Sequence, residues 1–139
     1  VDLFAGVGLF SLPLARRYGR VVAVEGDRIA ARYARRNARR NGAGNLEVEG
    51  RAVESWIGAL PAGADRVVAD PPRPGLGAAV LAALQERPPR RLTCVSCHPA
   101  ALARDLRILG VAHRLERLSL LDLFPQTGHL EVVAQLAAR

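Results

Sequence analysis

The sequence has no methionine and no lysine, only two cysteines, and 4% aromatic residues in a length of 139. The missing methionine includes the first position. Val1-Asp2-Leu3-Phe4 already reads as the inside of a strand, and together these features predict a fragment of a longer chain. Cys94 and Cys97 alone cannot build a disulfide framework, so a reducing, cytoplasmic setting is the default. The same two thiols and three histidines without partner spacing give no four-ligand metal set, and no metal is expected. No run approaches the ~20 apolar residues that a membrane helix needs, and no secretory signal pattern opens the chain. There is no internal repeat, low-complexity tract or linker. The absence of lysine makes arginine the sole source of basic charge and carries no functional conclusion.

Half of the residues are hydrophobic, enough for one domain with one core, and a single catalytic domain over residues 1–139 is expected. The net charge of +7 favours a polyanionic partner, of which nucleic acid is the commonest, although a basic domain without such a partner fits the charge equally well. Short β-type runs at 1–5, 21–25, 46–48, 66–69 and 92–96 alternate with helical patterns at 9–17, 28–41, 52–57, 76–85 and 100–109. Two further strands, 113–121 and 130–136, have no helix between them. The alternation implies βαβ units, hence an α/β, doubly wound, mostly parallel sheet of Rossmann-like type, with an antiparallel last strand in a hairpin-like ending.

In such a sheet ligands sit beyond the carboxyl ends of the strands, and nearly every unusual residue of this chain falls there. The first strand ends in Asp2-Leu-Phe-Ala-Gly6-Val-Gly8, a glycine turn that lets the backbone approach a ligand closely. A dinucleotide fingerprint would place a third glycine at position 11, which is Ser11. The acid before the turn, Asp2, disfavours a pyrophosphate and suits a cationic, amino-bearing ligand. Glu25, at the end of the second strand, can accept hydrogen bonds from both hydroxyls of a ribose. Together they favour S-adenosylmethionine, with its sulfonium and ammonium, over an ordinary βα turn.

Asp70-Pro71-Pro72-Arg73 ends the fourth strand. Its prolines fix the backbone, and its carboxylate and free carbonyls can meet the polar edge of a flat base. Cys94 lies inside an apolar run and reads as a buried thiol. Cys97 stands at a strand end before Pro99 and a helix, where a thiolate is stabilised, or where cysteine is simply a small buried residue. Glu131 enters an apolar strand, either as a proton carrier with its pKa raised by burial or as an edge residue facing water.

These blocks resemble the S-adenosylmethionine-dependent RNA uracil-5-methyltransferases, which modify tRNA and ribosomal RNA. The resemblance runs through Asp-Leu-Phe-Ala-Gly-Val-Gly at 2–8, Val-Glu-Gly at 24–26, Asp-Pro-Pro-Arg-Pro-Gly at 70–75, Val-Ser-Cys-His-Pro at 95–99, Ala-Arg-Asp-Leu at 103–106 and Phe-Pro-Gln-Thr-Gly-His-Leu-Glu at 124–131. It implies a class I methyltransferase fold, an RNA substrate, Cys97 as nucleophile, Glu131 as general base, and Asp70 as a contact to cofactor and base. Phe4 and Glu25 match its cofactor-binding positions. His98 stands where the family usually has asparagine, and Leu9 where a polar residue is more frequent. The family's upstream cofactor-contacting segment and RNA-binding barrel are not in the sequence. Two other readings remain open: an Asp-Pro-Pro enzyme that methylates an amino group without a cysteine, and a truncated, non-catalytic module that binds cofactor or RNA.

Overall fold

A computed structural model describes residues 1–123, 125–128 and 130–139. Phe124 and His129 of the Phe-Pro-Gln-Thr-Gly-His motif lie outside the described residues. The chain divides into two compact units, Val1–Gly58 and Ala59–Arg139.

The first unit contains β1 (Asp2–Leu3), α1 (Ser11–Ala15), β2 (Val21–Val24), α2 (Arg28–Arg40), β3 (Leu46–Glu49) and α3 (Val53–Trp56). Its strands run parallel in the order β3–β2–β1. The central strand, Val-Val-Ala-Val, is buried throughout, as a parallel strand covered on both faces requires. Asp27 caps α2 by accepting from the Ala30 amide at 2.7 Å. Ala31, Ala34 and Ala38 form the buried side of α2, and its arginines are all exposed. The helix ends through Gly42 at φ +64, with the Ala43 amide reaching back to the Ala38 carbonyl at 3.0 Å.

The second unit contains β4 (Arg66–Ala69), α4 (Ala78–Glu86), β5 (Arg91–Ser96), α5 (Pro99–Leu109), β6 (His113–Leu121) and β7 (Glu131–Ala138). Its strands lie in the order β4–β5–β7–β6, with β4 and β5 parallel and β7 antiparallel to both of its neighbours. The last strand therefore pairs with β6, as the sequence implies, and also inserts between β6 and β5. Burial explains the placement: Val132, Ala134 and Leu136 of β7 are covered, whereas β6 is exposed over most of its length. An edge strand is protected by charge and irregularity. β6 carries Arg114, Glu116 and Arg117, with a register shift between Leu115 and Arg117. Glu116 ion-pairs with Arg91 and Arg114. Among the described residues no helix is long and apolar enough to cross a membrane.

His113, at the start of β6, is 0% exposed. Its Nδ1 lies 3.3 Å from the Leu109 carbonyl, and its Nε2 has no hydrogen-bond partner among the described residues. Burial holds its pKa below the ordinary 6.5, against a smaller opposite pull from the Leu109 carbonyl. Below pH 6.5 the unfolded chain binds a proton that the folded state refuses. The stability from a neutral His113 is therefore complete above that pH and is lost as pH falls through the lowered folded value. The fall in Tm between pH 7 and pH 5 is expected to be shallower in His113→Leu than in the wild type. An unchanged slope would remove His113 as a source of acid sensitivity.

Candidate active site

In the first unit the chain turns sharply after β1. Phe4 has φ +61, Gly6 φ +55 and Gly8 φ +95. A phenylalanine held in the left-handed region marks stored backbone strain, which concentrates at functional sites. The strain also explains why the strand expected over 1–5 contracts to Asp2–Leu3. The helix expected over 9–17 likewise shortens to Ser11–Ala15.

Glu25, one residue past β2, has two fixed partners. One carboxylate oxygen accepts from the Gly6 amide and the other from the Asp27 amide, each at 2.7 Å. The carboxylate thus clamps the glycine turn to the end of β2. Asp2 is 0% exposed. Its Oδ2 accepts from the Ser11 hydroxyl, so this acid supports the turn from within rather than presenting its charge at the surface. Position 11, read in the sequence only as a missing glycine, supplies the donor that a buried carboxylate requires. The two residues are nine apart in the chain, and no local sequence signal pairs them.

In the second unit the strand registers gather the other candidates. In β4 and β5, Ala69 pairs with Cys94, so Asp70 and Val95 are the next positions along. In β5 and β7, Ser96 pairs with Val132, so Cys97 and Glu131 are the next positions in that direction. Leu92, Cys94 and Ser96 share the buried face of β5 with Val132, Ala134 and Leu136 of β7. Asp70 and Glu131 are near enough for their charges to interact, and Cys97 follows directly on β5 at the same end of these strands. Cys97 and Glu131 are half-buried, as is Asp70.

Burial holds the Asp70 carboxyl above the usual carboxylate range, and the nearby Glu131 carboxylate pushes it the same way. Ionised Asp70 therefore opposes folding: the folded state keeps its proton above 3.8, the ordinary value, and stability declines as pH rises through the raised value. Asp70→Asn is expected to raise Tm at pH 7 while lowering activity, the usual relation between a strained site and stability. A lower Tm in that variant would contradict the repulsion.

The two cysteines differ in kind. Burial, with a smaller contribution from the Asp105 carboxylate, pushes the Cys94 thiol up to about 12, so it is an inert core group. Cys97 sits in a shaped turn. The Ser96 hydroxyl accepts from the His98 amide at 3.1 Å and lies 3.2 Å from the His98 carbonyl oxygen, to which it donates. His98 then caps α5, its Nδ1 accepting from the Ala101 amide at 3.1 Å, with Pro99 following. The histidine thus supplies the acceptor that an asparagine would supply at the same place. His98→Ala is expected to destabilise the protein by about 1 kcal/mol, and His98→Asn to recover most of that, as measured by urea unfolding. Equal stabilities of the two variants would contradict the cap.

The tRNA (uracil-5-)-methyltransferase family model matches residues 62–139. The chain is 42% identical over 138 residues to an uncharacterized RNA methyltransferase of Thermosynechococcus vestitus, covering 98% of this chain and 31% of that protein. It is 45% identical over 141 residues to a 23S rRNA (uracil(1939)-C(5))-methyltransferase of Aeromonas salmonicida, covering 96% and 31%. The crystal structure of a Pyrococcus abyssi tRNA (uracil-54, C5)-methyltransferase in complex with S-adenosyl-L-homocysteine superposes with a TM-score of 0.85 at 33% identity, over 98% of this chain and 33% of that one. The chain thus spans about a third of the length of the relatives it matches, and its fold is that of class I methyltransferases.

Proposed function

Because the chain belongs to the tRNA (uracil-5-)-methyltransferase family, we propose that it is the catalytic domain, over residues 1–139, of a cytoplasmic enzyme that methylates C5 of a uridine in tRNA or ribosomal RNA. The observation that carries this reading is the register that makes Cys97 and Glu131 neighbouring positions, with Asp70 electrostatically coupled to Glu131.

The residues of the first unit fit S-adenosylmethionine. The glycine turn leaves backbone open to close approach, and Gly6 and Gly8 occupy left-handed positions that favour glycine. The Glu25 carboxylate uses two of its roughly four acceptor sites on backbone amides, which leaves others for a ribose diol. Phe4, Gly6, Gly8 and Glu25 would hold the donor, with Asp2 acting through Ser11 to keep the turn in shape. When bound, S-adenosylmethionine supplies an electrophilic methyl group, which C5 of the uracil takes up.

C5 of uracil is a poor nucleophile by itself. The Cys97 thiolate adds to C6, forming an S–C6 bond and shifting the ring's electron pair onto C5 and the O4 enolate. After methylation C5 still carries its proton. Glu131 removes that proton, the electron pair re-forms the C5–C6 double bond, and the S–C6 bond breaks to release the thiolate. Asp70 orients the ring edge, and burial together with the nearby Glu131 carboxylate raises its pKa above the ordinary value. The Ser96 and His98 contacts hold the sulfur's segment in one path, which is how positioning lowers a barrier.

The test is transfer of labelled methyl to unmodified tRNA and ribosomal RNA by the full-length protein, followed by nucleoside analysis. The label is expected in 5-methyluridine. Label on an exocyclic amino group would instead favour the Asp-Pro-Pro amino-methylating reading.

A further inference from the structure

Asp105 lies on α5 and is 2% exposed. A carboxylate at that depth is tolerated only with full hydrogen bonding. One oxygen accepts from the Leu76 amide at 2.9 Å. The other accepts from Nε and a terminal nitrogen of Arg104, at 3.0 and 2.8 Å. Neighbouring helix residues do not normally face each other, so the Arg104 side chain must fold back to make this pair. A terminal nitrogen of Arg104 also donates to the Pro74 carbonyl at 2.6 Å.

Gly75 lies between these two ties, at φ +95, and a Cβ there would stand 2.4 Å from the Asp105 carboxylate. Both the backbone conformation and the space demand glycine at this position. Two adjacent residues of α5 therefore grip three consecutive residues of the loop that follows β4. That loop begins at Asp70, and α5 begins two residues after Cys97. The charge arrangement joins the segment presenting the orienting carboxylate to the segment presenting the nucleophile.

We propose that Asp105, supported by Arg104, is a positioning residue for the uracil-methylating reaction: it fixes the Asp70 loop relative to the Cys97 turn through the Leu76 amide. The proposal rests on the functional reading above. Asp105 touches neither of the reacting groups, and its effect passes through the loop geometry. Displacements of about 1 Å in such supports can lower rates by about 100-fold.

The experiment is steady-state kinetics of the full-length enzyme carrying Asp105→Ala, Asp105→Asn or Arg104→Gln, with S-adenosylmethionine and an RNA that the wild type methylates. Asp105→Ala is expected to lower kcat by about 100-fold and to leave KM for the donor unchanged. Asp105→Asn keeps an oxygen for the Leu76 amide and is expected to recover most of the lost rate. If Asp105→Ala does not fold, Arg104→Gln, which removes a half-exposed guanidinium and leaves the Leu76 tie in place, is expected to fold with a lowered Tm and to lower kcat by about 10-fold. Wild-type kcat in the folded variants, or a lower Tm with kcat intact, would overturn the positioning role and leave the functional reading standing. A wild type that methylates no uridine would overturn both.

Discussion

Cys97→Ala is expected to reduce methyl transfer on the order of 10,000-fold or more, while the protein stays folded and still binds the methyl donor. Loss of a covalent nucleophile removes a whole reaction path, which is why such losses exceed those of a single positioning contact. Folding should survive because Cys97 is half-buried in a turn held by other groups, Ser96 and His98. Donor binding should survive because the proposed contacts to it belong to Phe4, Gly6, Gly8 and Glu25. The control is Cys94→Ala. That thiol is 1% exposed and held in its neutral form by burial, so its loss should lower Tm and leave kcat in place. Methyl-transfer assays on the two variants with matched Tm measurements decide the matter. If both keep wild-type turnover, no covalent path through sulfur exists and the amino-methylating alternative gains.

Glu131→Gln is expected to act at the other end of the same cycle. The thiolate can still add and C5 can still be methylated, but the C5 proton then has no acceptor. Turnover should fall by about 100- to 10,000-fold, the range of a lost general base. The methylated adduct should accumulate on ordinary uridine-containing RNA, seen as a slower-migrating protein–RNA band under denaturing conditions. Asp70→Asn should not trap such an adduct, because Asp70 is assigned orientation rather than proton removal. A Glu131→Gln protein that turns over slowly with no accumulated adduct would mean that another group takes the proton.

Much of the fold was legible because its pattern is local. Alternating runs such as Val-Val-Ala-Val and the alanine face of α2 report their burial directly, and Asp27 and Gly42 bound α2 as capping chemistry requires. The insertion of β7 between β5 and β6 was not legible, because strand partners are chosen by which face and edge remain uncovered, a long-range matter. The sequence identified Asp2 and Glu25 as acids beside a glycine turn but could not show their partners. Asp2 is closed by Ser11, and Glu25 by two backbone amides, of which that of Gly6 comes within reach only once β1 and β2 pair. His98 read as a departure from a familiar motif because residue type conceals geometry: an imidazole nitrogen can cap a helix as an amide oxygen does. Asp105 stood in the sequence only as part of the Ala-Arg-Asp-Leu block, with no role of its own. Besides the adjacent Arg104, its partner is the Leu76 amide 29 residues away, beside a glycine with positive φ.

Incubating the full-length protein and S-adenosylmethionine with RNA containing 5-fluorouridine tests the central claim most directly, since fluorine at C5 cannot leave as a proton and the bond to sulfur is retained. Mass spectrometry of the digested complex is expected to find the modified nucleotide on the peptide containing Cys97, and Cys97→Ala is expected to form no adduct. An adduct on any other residue, or the same adduct yield in Cys97→Ala, would contradict the account.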